Sequence, residues 1–430
     1  MRILVLILQY PPDVNTSGVL MGQLCEGLAA RGHQVSVLTT FPHYEKFRVW
    51  DEYRGKLLDS DLRNGVEITR TCVYANGRKQ NMLNRLLSYL SFNVLATVAG
   101  STSRQDYDVI LCSNGSFFSG VAATVIGRVK GAPFVYNVQD LYPETPVQSG
   151  QISNKLVIGA LERIERFMYA RAAQVSVIAP AFRANLLDKG VPADKVTTIP
   201  NFVDVDFIRP FPKTNSFSRE HALTEKFVVT HAGNLGYVYD FDALLDVAYR
   251  VQAEADIQFL IVGDGVERAR LQERARALGL RNVRFLPFQP RQTLPLLRAA
   301  SDVQVALYRR GSARFSMPSK VYEIMASCRP VLASADADSD LHQLVTGVRC
   351  GICVEPHNPE KLAAALLALY RDPVLRTRMG HRGRDEAVRA YSRDAIVTQY
   401  EELCRHVAVS REWTPGQEIE RNPTRTGVMT

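Results

Sequence analysis

Apolar and polar positions along the chain follow one rhythm twice. Ile3 to Leu8 is an unbroken apolar run, the pattern of a parallel strand covered on both faces. After the loop QYPPDVNTSG, Leu20, Leu24 and Leu28 recur every fourth residue, one face of a helix. Gly32 is placed to end that helix, and QVSVLTT is the next strand. Further strands read as VEITRTCV, YDVILCS, APFVYNV and QVSVIAP, with helices between them, and KVTTIPNFVD closes this half near residue 206. RPFPKTNSFSREHALT, with two prolines and few apolar residues, reads as a linker. The rhythm then restarts with KFVVTHAG, DIQFLIVGDG, NVRFLPF, VQVALY, PVLAS and GICVEP as strands. DFDALLDVAYRVQAE, VERARLQERARALGL and PEKLAAALLALYRD are helices among them.

The expected fold class is therefore α/β, with two Rossmann-like doubly wound domains in tandem. Residues 1–208 form the first and 209–390 the second. A helix at about 391–409 is expected to pack back on the first, and the polar stretch 410–430 to be disordered. Two such domains make a cleft, and ligands of open α/β sheets bind beyond the carboxyl ends of the strands.

Size and charge narrow the partners. A chain of 430 residues exceeds what one core usually supports, and 46% hydrophobic with 22% charged residues is ordinary for a soluble globular protein. The formal net charge of +8 favours an acidic partner, such as a nucleotide phosphate or an anionic membrane. The basic residues are scattered, which argues against nucleic acid. Seven cysteines, an odd number, fit a reducing compartment, and Cys350 and Cys353 read as strand residues rather than a redox pair. The apolar N-terminus ends at a turn at Pro11 and Pro12 and reads as a strand, not a signal peptide. No stretch reaches the roughly 18 apolar residues of a membrane span. The nearest, LLSYLSFNVLATVAG, lies between Arg85 and Arg104 and leaves two readings open, a core helix or one lying on a membrane surface; the basic charge favours the second.

Four loops carry candidate chemistry. NTSGVLMG places Gly18 at a helix start, where free N–H groups and a missing side chain admit a phosphate or sugar; a plain turn is the alternative. It is not GxGxxG, so a dinucleotide fingerprint is unsupported. HAGNLG offers Gly233, Asn234 and Gly236 as a second phosphate cradle or a tight turn. MPSKVYEIMAS is the strongest. Pro318 and Ser319 mark a helix start, Lys320 sits in the first turn, and Glu323 lies one turn on. A lysine at a helix N-terminus suits a diphosphate, and a carboxylate beside it suits ribose hydroxyls. Finally, FVYNVQD runs to Asp140 and breaks into LYPETPVQSG, which puts Asp140 and Glu144 at a strand end facing the cleft. DADSD, 336–340, reads as a solvated loop rather than a metal site.

With these pieces in order, the chain resembles retaining glycosyltransferases of the two-Rossmann-domain (GT-B) type, family 4, in the colanic acid and exopolysaccharide branch. The segments that carry the resemblance are GQLCEGLAARGHQVSVLTTFPHY, VSVIAPAFRANLLDKGVPADKVTTIPNFVD, HAGNLG, FLIVGDGVERARLQERARALGLRNVRFLP, MPSKVYEIMASCRPVLAS and CGICVEPHNPEKLAAAL. They span Met1 to about Val407. The resemblance implies a hexosyl donor linked to a nucleoside diphosphate, held mainly by the second domain, and an acceptor held mainly by the first. It implies no metal or other cofactor, since basic side chains and helix N-termini neutralise the diphosphate. It places Glu323 as the second glutamate of E-x7-E, on the ribose, and Gly18 in the loop that approaches the donor phosphate. GDP-fucose or GDP-mannose is the favoured donor, with a UDP-sugar next. The acceptor is a lipid-linked saccharide at the cytoplasmic face of the inner membrane, with the enzyme peripherally bound there.

The chain departs from that family pattern at four positions. Phe315 stands where the first glutamate would fall, Asn234 and Tyr239 where relatives place Arg and Lys, and Gln139 where a histidine often ends the strand. Lys320, with Arg309, Arg310 or Arg314, is then left to hold the diphosphate, and Asp140 to orient the acceptor hydroxyl or take its proton. A turn cap is the competing role for Asp140. Two other classes stay open from sequence, a nucleotide-sugar oxidoreductase or epimerase and a non-catalytic membrane scaffold.

Overall fold

The computed structural model describes residues 1–410 apart from 14, 78–81, 149–151 and 313–318. Arg314, Phe315 and Pro318 thus lie outside the described residues, as does the tail beyond 410. The first half contains β1 (Arg2–Leu6), α1 (Thr16–Ala30), β2 (Gln34–Thr40), β3 (Leu58–Arg63), β4 (Val66–Thr71), α2 (Met82–Thr102), β5 (Val109–Ser113), α3 (Ser119–Lys130), β6 (Phe134–Val138), α4 (Glu144–Gln148), α5 (Lys155–Arg171), β7 (Gln174–Val177), α6 (Pro180–Asp188) and β8 (Val196–Thr198). The second contains α7 (Ser216–Glu220), β9 (Phe227–Ala232), α8 (Phe241–Arg250), β10 (Ile257–Val262), α9 (Arg268–Ala277), β11 (Val283–Leu286), α10 (Leu294–Ala300), β12 (Val303–Leu307), α11 (Lys320–Ala326), β13 (Val331–Ser334), α12 (Asp340–Val348), β14 (Gly351–Val354), α13 (Pro359–Arg371), α14 (Pro373–Ala390) and α15 (Arg393–Val409).

Two sheets result, one of order β3-β4-β2-β1-β5-β6-β7-β8 and one of order β11-β10-β9-β12-β13-β14. Every pairing is parallel except β3 with β4. Central strands are buried on both faces, and all six residues of β10 are. That is why their sequences are mostly apolar runs rather than strict alternations, with an occasional buried polar residue such as Gln258 of β10.

Helix ends follow local chemistry. The Asn15 side chain caps α1 by accepting from the Gly18 amide, and Gly32, at φ +85°, closes it. The Gly32 amide donates to Ala29 O and the His33 amide to Leu28 O, the paired bonds of a left-handed C-terminal turn.

The segment read as a linker is more structured than its composition suggests. Asn215 caps α7, and Phe217 and Leu223 are buried with Val228, Leu260 and Leu297. After α14 the chain recrosses, and α15 packs on the first sheet. Ile396, Val397, Tyr400 and Cys404 join a core with Leu24, Leu28 and Val37. Gly27 makes room for it, since a Cβ there would lie 2.7 Å from Val397 Cγ2. Arg31 pairs with Asp394 and Glu401 across the same contact.

The two sheets present their carboxyl ends to each other. The Ala181 amide, just beyond β7, donates to the Asp340 carboxylate, just beyond β13, at 3.1 and 3.3 Å. The DADSD loop is therefore not simply solvated: Asp340 ties the domains together, and Asp336 accepts from the Gly311 amide at 2.6 Å.

Candidate active site

Among the parallel strands of each sheet the order reverses once, between β1 and β5 in the first and between β9 and β12 in the second. The loops leaving those strand pairs diverge and open a crevice, the place where doubly wound sheets bind ligands.

At the first switch point lies a cavity of about 280 Å³ lined by Gln9, Asn15, Ser17, Arg85, Gly115 and Asp140, among others. The turn after β6 is held by Asn114. Its Oδ1 accepts from the Gln139 amide at 2.8 Å, and its Nδ2 donates to Asp140 O at 2.6 Å. The turn therefore does not need the Asp140 side chain as a cap, and among the described residues nothing hydrogen-bonds that carboxylate. Asp140 is solvent-exposed and lines the cavity wall. Surrounding protein raises its carboxyl above the usual range, and the Arg85 guanidinium opposes that rise.

Glu144 does not line this cavity. It pairs with Lys189 Nζ at 2.8 Å, and that ammonium also meets buried Glu165 at 2.8 Å. Glu144, read from the sequence beside Asp140 at the strand end facing the cleft, sits in an ion-pair cluster joining α4, α5 and the residue after α6. Gly18 is also called on by the fold. A Cβ there would fall 2.4 Å from Asn15 Oδ1 and 2.7 Å from Gln9 O, and its amide already donates to Asn15. Asn15 and Ser17, not Gly18, are the residues of that loop on the cavity wall. Gln139 is drawn away as well: it donates to Asn137 and accepts from Asn201, and Asn137 in turn donates to the Tyr400 hydroxyl of α15.

At the second switch point the loops after β9 and β12 are laced together, with Tyr239 bridging to Tyr308 and the Arg309 amide donating to Val238 O at 3.0 Å. Lys320, the first residue of α11, extends beneath them. Its Nζ is buried without a hydrogen-bond partner and sits 4.1 Å from the centre of the Tyr239 ring. Burial holds its pKa below the ordinary lysine value, the Tyr239 phenol opposes this, and Arg298 adds to it. Gly233 has φ +143°, and a Cβ there would lie 3.2 Å from that ammonium. Its amide donates to Val262 O, so Gly233 contributes open space rather than a phosphate donor. Asn234 is exposed at the loop tip, and a Cβ on Gly236 would lie 3.0 Å from its Nδ2.

Glu323 lies one turn along α11 and is gripped by Arg298, itself buried and donating to Gln304 Oε1 at 2.6 Å. His231, at the end of β9, is buried against Tyr239 and Phe241, with Nε2 unpartnered. Burial, reinforced by Lys320, drives its pKa well down and keeps it neutral. Arg309 is committed elsewhere: it donates to Tyr239 O and lies near Glu267 and Asp242. Arg310 is exposed, and Arg314 lies outside the described residues. Sequence reading did not single out Arg298, which no motif marks, or His231, although His231 opens HAGNLG.

Two remaining expectations concern metals and thiols. Among the described residues no three His, Cys, Asp or Glu side chains converge as metal ligands would. Cys350 and Cys353 are free, and burial pushes both thiols up to about 12, away from reactive thiolates.

Comparison with known proteins adds to this geometry. A family described as glycosyl transferase 4-like domain matches residues 16–201, and one described as glycosyl transferases group 1 matches residues 213–386. A putative colanic acid biosynthesis glycosyl transferase, WcaI of Escherichia coli K12, is 27% identical over 409 residues, 93% of this chain and 98% of that protein. Anabaena Alr3699/HepE, solved in complex with UDP, superposes with a TM-score of 0.68 at 17% identity, covering 94% of this chain and all of that one. WaaG, a glycosyltransferase involved in lipopolysaccharide biosynthesis, superposes with a TM-score of 0.67 at 15% identity, covering 94% of this chain and 99% of that one.

Proposed function

Because the chain belongs to the glycosyltransferases with a 4-like first domain and a group 1 second domain, on the GT-B fold, we propose that it transfers a glycosyl group between its two switch points. The donor is a nucleoside diphosphate sugar bound at the second. The acceptor is a hydroxyl of a lipid-linked saccharide bound at the first, in surface or exopolysaccharide assembly. The observation that carries this reading is the buried, unpartnered Lys320 ammonium at a strand-order reversal, beside Gly233, where a Cβ would crowd that ammonium. A buried cation without a hydrogen bond is costly, and a diphosphate supplies the acceptor oxygens it lacks.

In this reading Lys320 takes the diphosphate, and Glu323, aimed by Arg298, takes the ribose. Asp140 orients the accepting hydroxyl or removes its proton. The sugar is transferred with retention and without a metal ion. GDP-fucose and GDP-mannose are the first donors to try, and UDP-sugars the second.

Membrane association is part of the same proposal. Among the described residues no helix is long and apolar enough to cross a bilayer. Yet α2 buries Asn84, Ser88 and Asn93 and exposes Leu83, Leu86, Leu87, Leu90, Val94 and Val98. Leu83 and Val94 are each 61% exposed. Neighbouring α3 and α5 add Val125, Val129, Leu156, Val157 and Phe167, with Arg128, Lys155, Arg163 and Arg166 exposed around them. An apolar face with a cationic surround suits an anionic bilayer surface.

The test is thermal stabilisation of the purified protein by GDP, UDP, dTDP and CMP, each with and without EDTA. A ligand at 100 times its Kd adds about 2.7 kcal/mol. One nucleoside diphosphate raising the melt regardless of EDTA supports the reading, and NMR of the product's anomeric centre then tests retention. No shift with any of them rejects the donor site and leaves the scaffold reading standing.

A further inference from the structure

A second cavity, of about 160 Å³, lies against the first switch point and is lined by Leu86, Phe117, Pro146, Ile152 and Leu161 among others. Arg85, Tyr89 and Tyr142 line both it and the polar cavity that holds Asp140. These three side chains therefore form a partition, with an open carboxylate on one side and an apolar chamber on the other. Arg85 is the cation in that partition, and it donates to the Tyr89 hydroxyl at 3.4 Å. Leu86, the next residue, belongs both to the chamber wall and to the exposed apolar face of α2, so the chamber opens towards that face.

Resting on the transferase reading above, we propose that this chamber receives the first apolar unit of the lipid that carries the acceptor saccharide, with Arg85 meeting the phosphate that joins lipid to sugar. The order of chemistry along the surface matches such an amphiphile. An apolar face leads to an apolar chamber, then to a guanidinium, then to a polar cavity with a carboxylate. A volume of this size holds about one benzene ring in other proteins, so it fits a single five-carbon isoprenoid unit, with the remaining chain running along α2. Guanidinium is the side chain best shaped to grip a phosphate in two places. A free sugar would use only the polar cavity, and a free lipid only the chamber.

The test measures binding of farnesyl phosphate, farnesol and inorganic phosphate to the full chain without vesicles. Saturating GDP and UDP are present to occupy the donor site. Farnesyl phosphate is expected to bind at least about tenfold more tightly than either fragment. Arg85→Gln is expected to weaken it about tenfold or more, the loss of a charge-assisted hydrogen bond. Leu161→Trp, which fills the chamber, is expected to do likewise. Both variants should keep the wild-type melting temperature and nucleotide-induced shift. The proposal is overturned if wild type fails to bind farnesyl phosphate, or if either variant binds it as tightly as wild type. The nucleotide shift, measured separately, shows whether the transferase reading itself has failed.

Discussion

Replacing Lys320 with methionine separates a ligand-binding lysine from a structural one. Methionine keeps the unbranched shape and removes the charge. In the unliganded protein the ammonium's closest favourable contact is the Tyr239 ring at 4.1 Å, worth about 2 kcal/mol when desolvated, with the Glu323 carboxylate adding a weaker attraction. Against this stands the desolvation of a buried charge, several kcal/mol in a real interior. Removing the charge should therefore leave the unliganded fold as stable as before, or more so. Binding should move the other way. Hydrogen bonds from a charged group are worth about 1.5–3 kcal/mol, so nucleoside diphosphate affinity should fall roughly 10- to 150-fold.

The same lysine sets a pH signature. Its folded pKa is depressed, so between that value and 10.5 the unfolded chain binds more protons than the folded one. Stability of the unliganded wild type should accordingly rise with pH through that window, relative to Lys320→Met, while nucleotide affinity falls as the ammonium is lost. Calorimetric titration with the stabilising nucleotide and melts from neutral to alkaline pH read both. A variant that melts several degrees lower and binds nucleotide within threefold of wild type would refute the reasoning and make Lys320 a packing residue.

Three further outcomes follow from the same structure. Asp140→Asn should cut transfer about 10²- to 10⁴-fold without changing the melt or nucleotide binding. Because the folded carboxyl titrates above its usual range, wild-type turnover should fall on acidification before an ordinary aspartate would protonate; the same acid limb in the Asn variant would dismiss Asp140 as its source. Lys189→Met should destabilise by about 3–5 kcal/mol in urea unfolding, since it strands buried Glu165, whereas Glu144→Gln should retain turnover. Leu90→Glu with Val94→Glu should release the protein from anionic vesicles in a sedimentation assay with no change in melting temperature; retention on the vesicles would move the membrane face elsewhere.

How legible each element was depends on what buries it. The central strands were readable because both of their faces are covered, so their sequences are predominantly apolar with only isolated buried polar residues. β3 was not, because LDSDLR is an antiparallel edge strand almost wholly exposed and shows no alternation. α14 escaped for a different reason. PVLRTRMGHRGRDEAVRA has no apolar stripe, and its buried positions are Gly380, Gly383 and Ala387. It packs by what is missing: a Cβ on Gly380 would lie 2.3 Å from Cys328 O. In the site, Lys320 and Glu323 were legible because a helix start after a strand marks them. Arg298 was not, since its partner is 25 residues away and only the fold brings them together. Asn114 was hidden in the same way, as it holds the β6 turn from the neighbouring strand's loop.

Tyr239 gives the departures from the family pattern a physical sense. It stands where the resemblance leads one to expect a cation, and its ring carries the charge of Lys320 instead. A second cation at that spot would face a buried ammonium already disfavoured by Arg298, and like charges in a low-dielectric interior repel strongly. The aromatic ring removes that repulsion and stabilises the remaining charge from its π face. Arg309 offers no replacement, being turned to Glu267, Asp242 and the Tyr239 carbonyl. Gly233 donates its amide to the sheet. Of the described side chains at this switch point, Lys320 is thus the one whose charge is both buried and unspent, which is why a single substitution there should cost the donor site most of its affinity while leaving the fold intact.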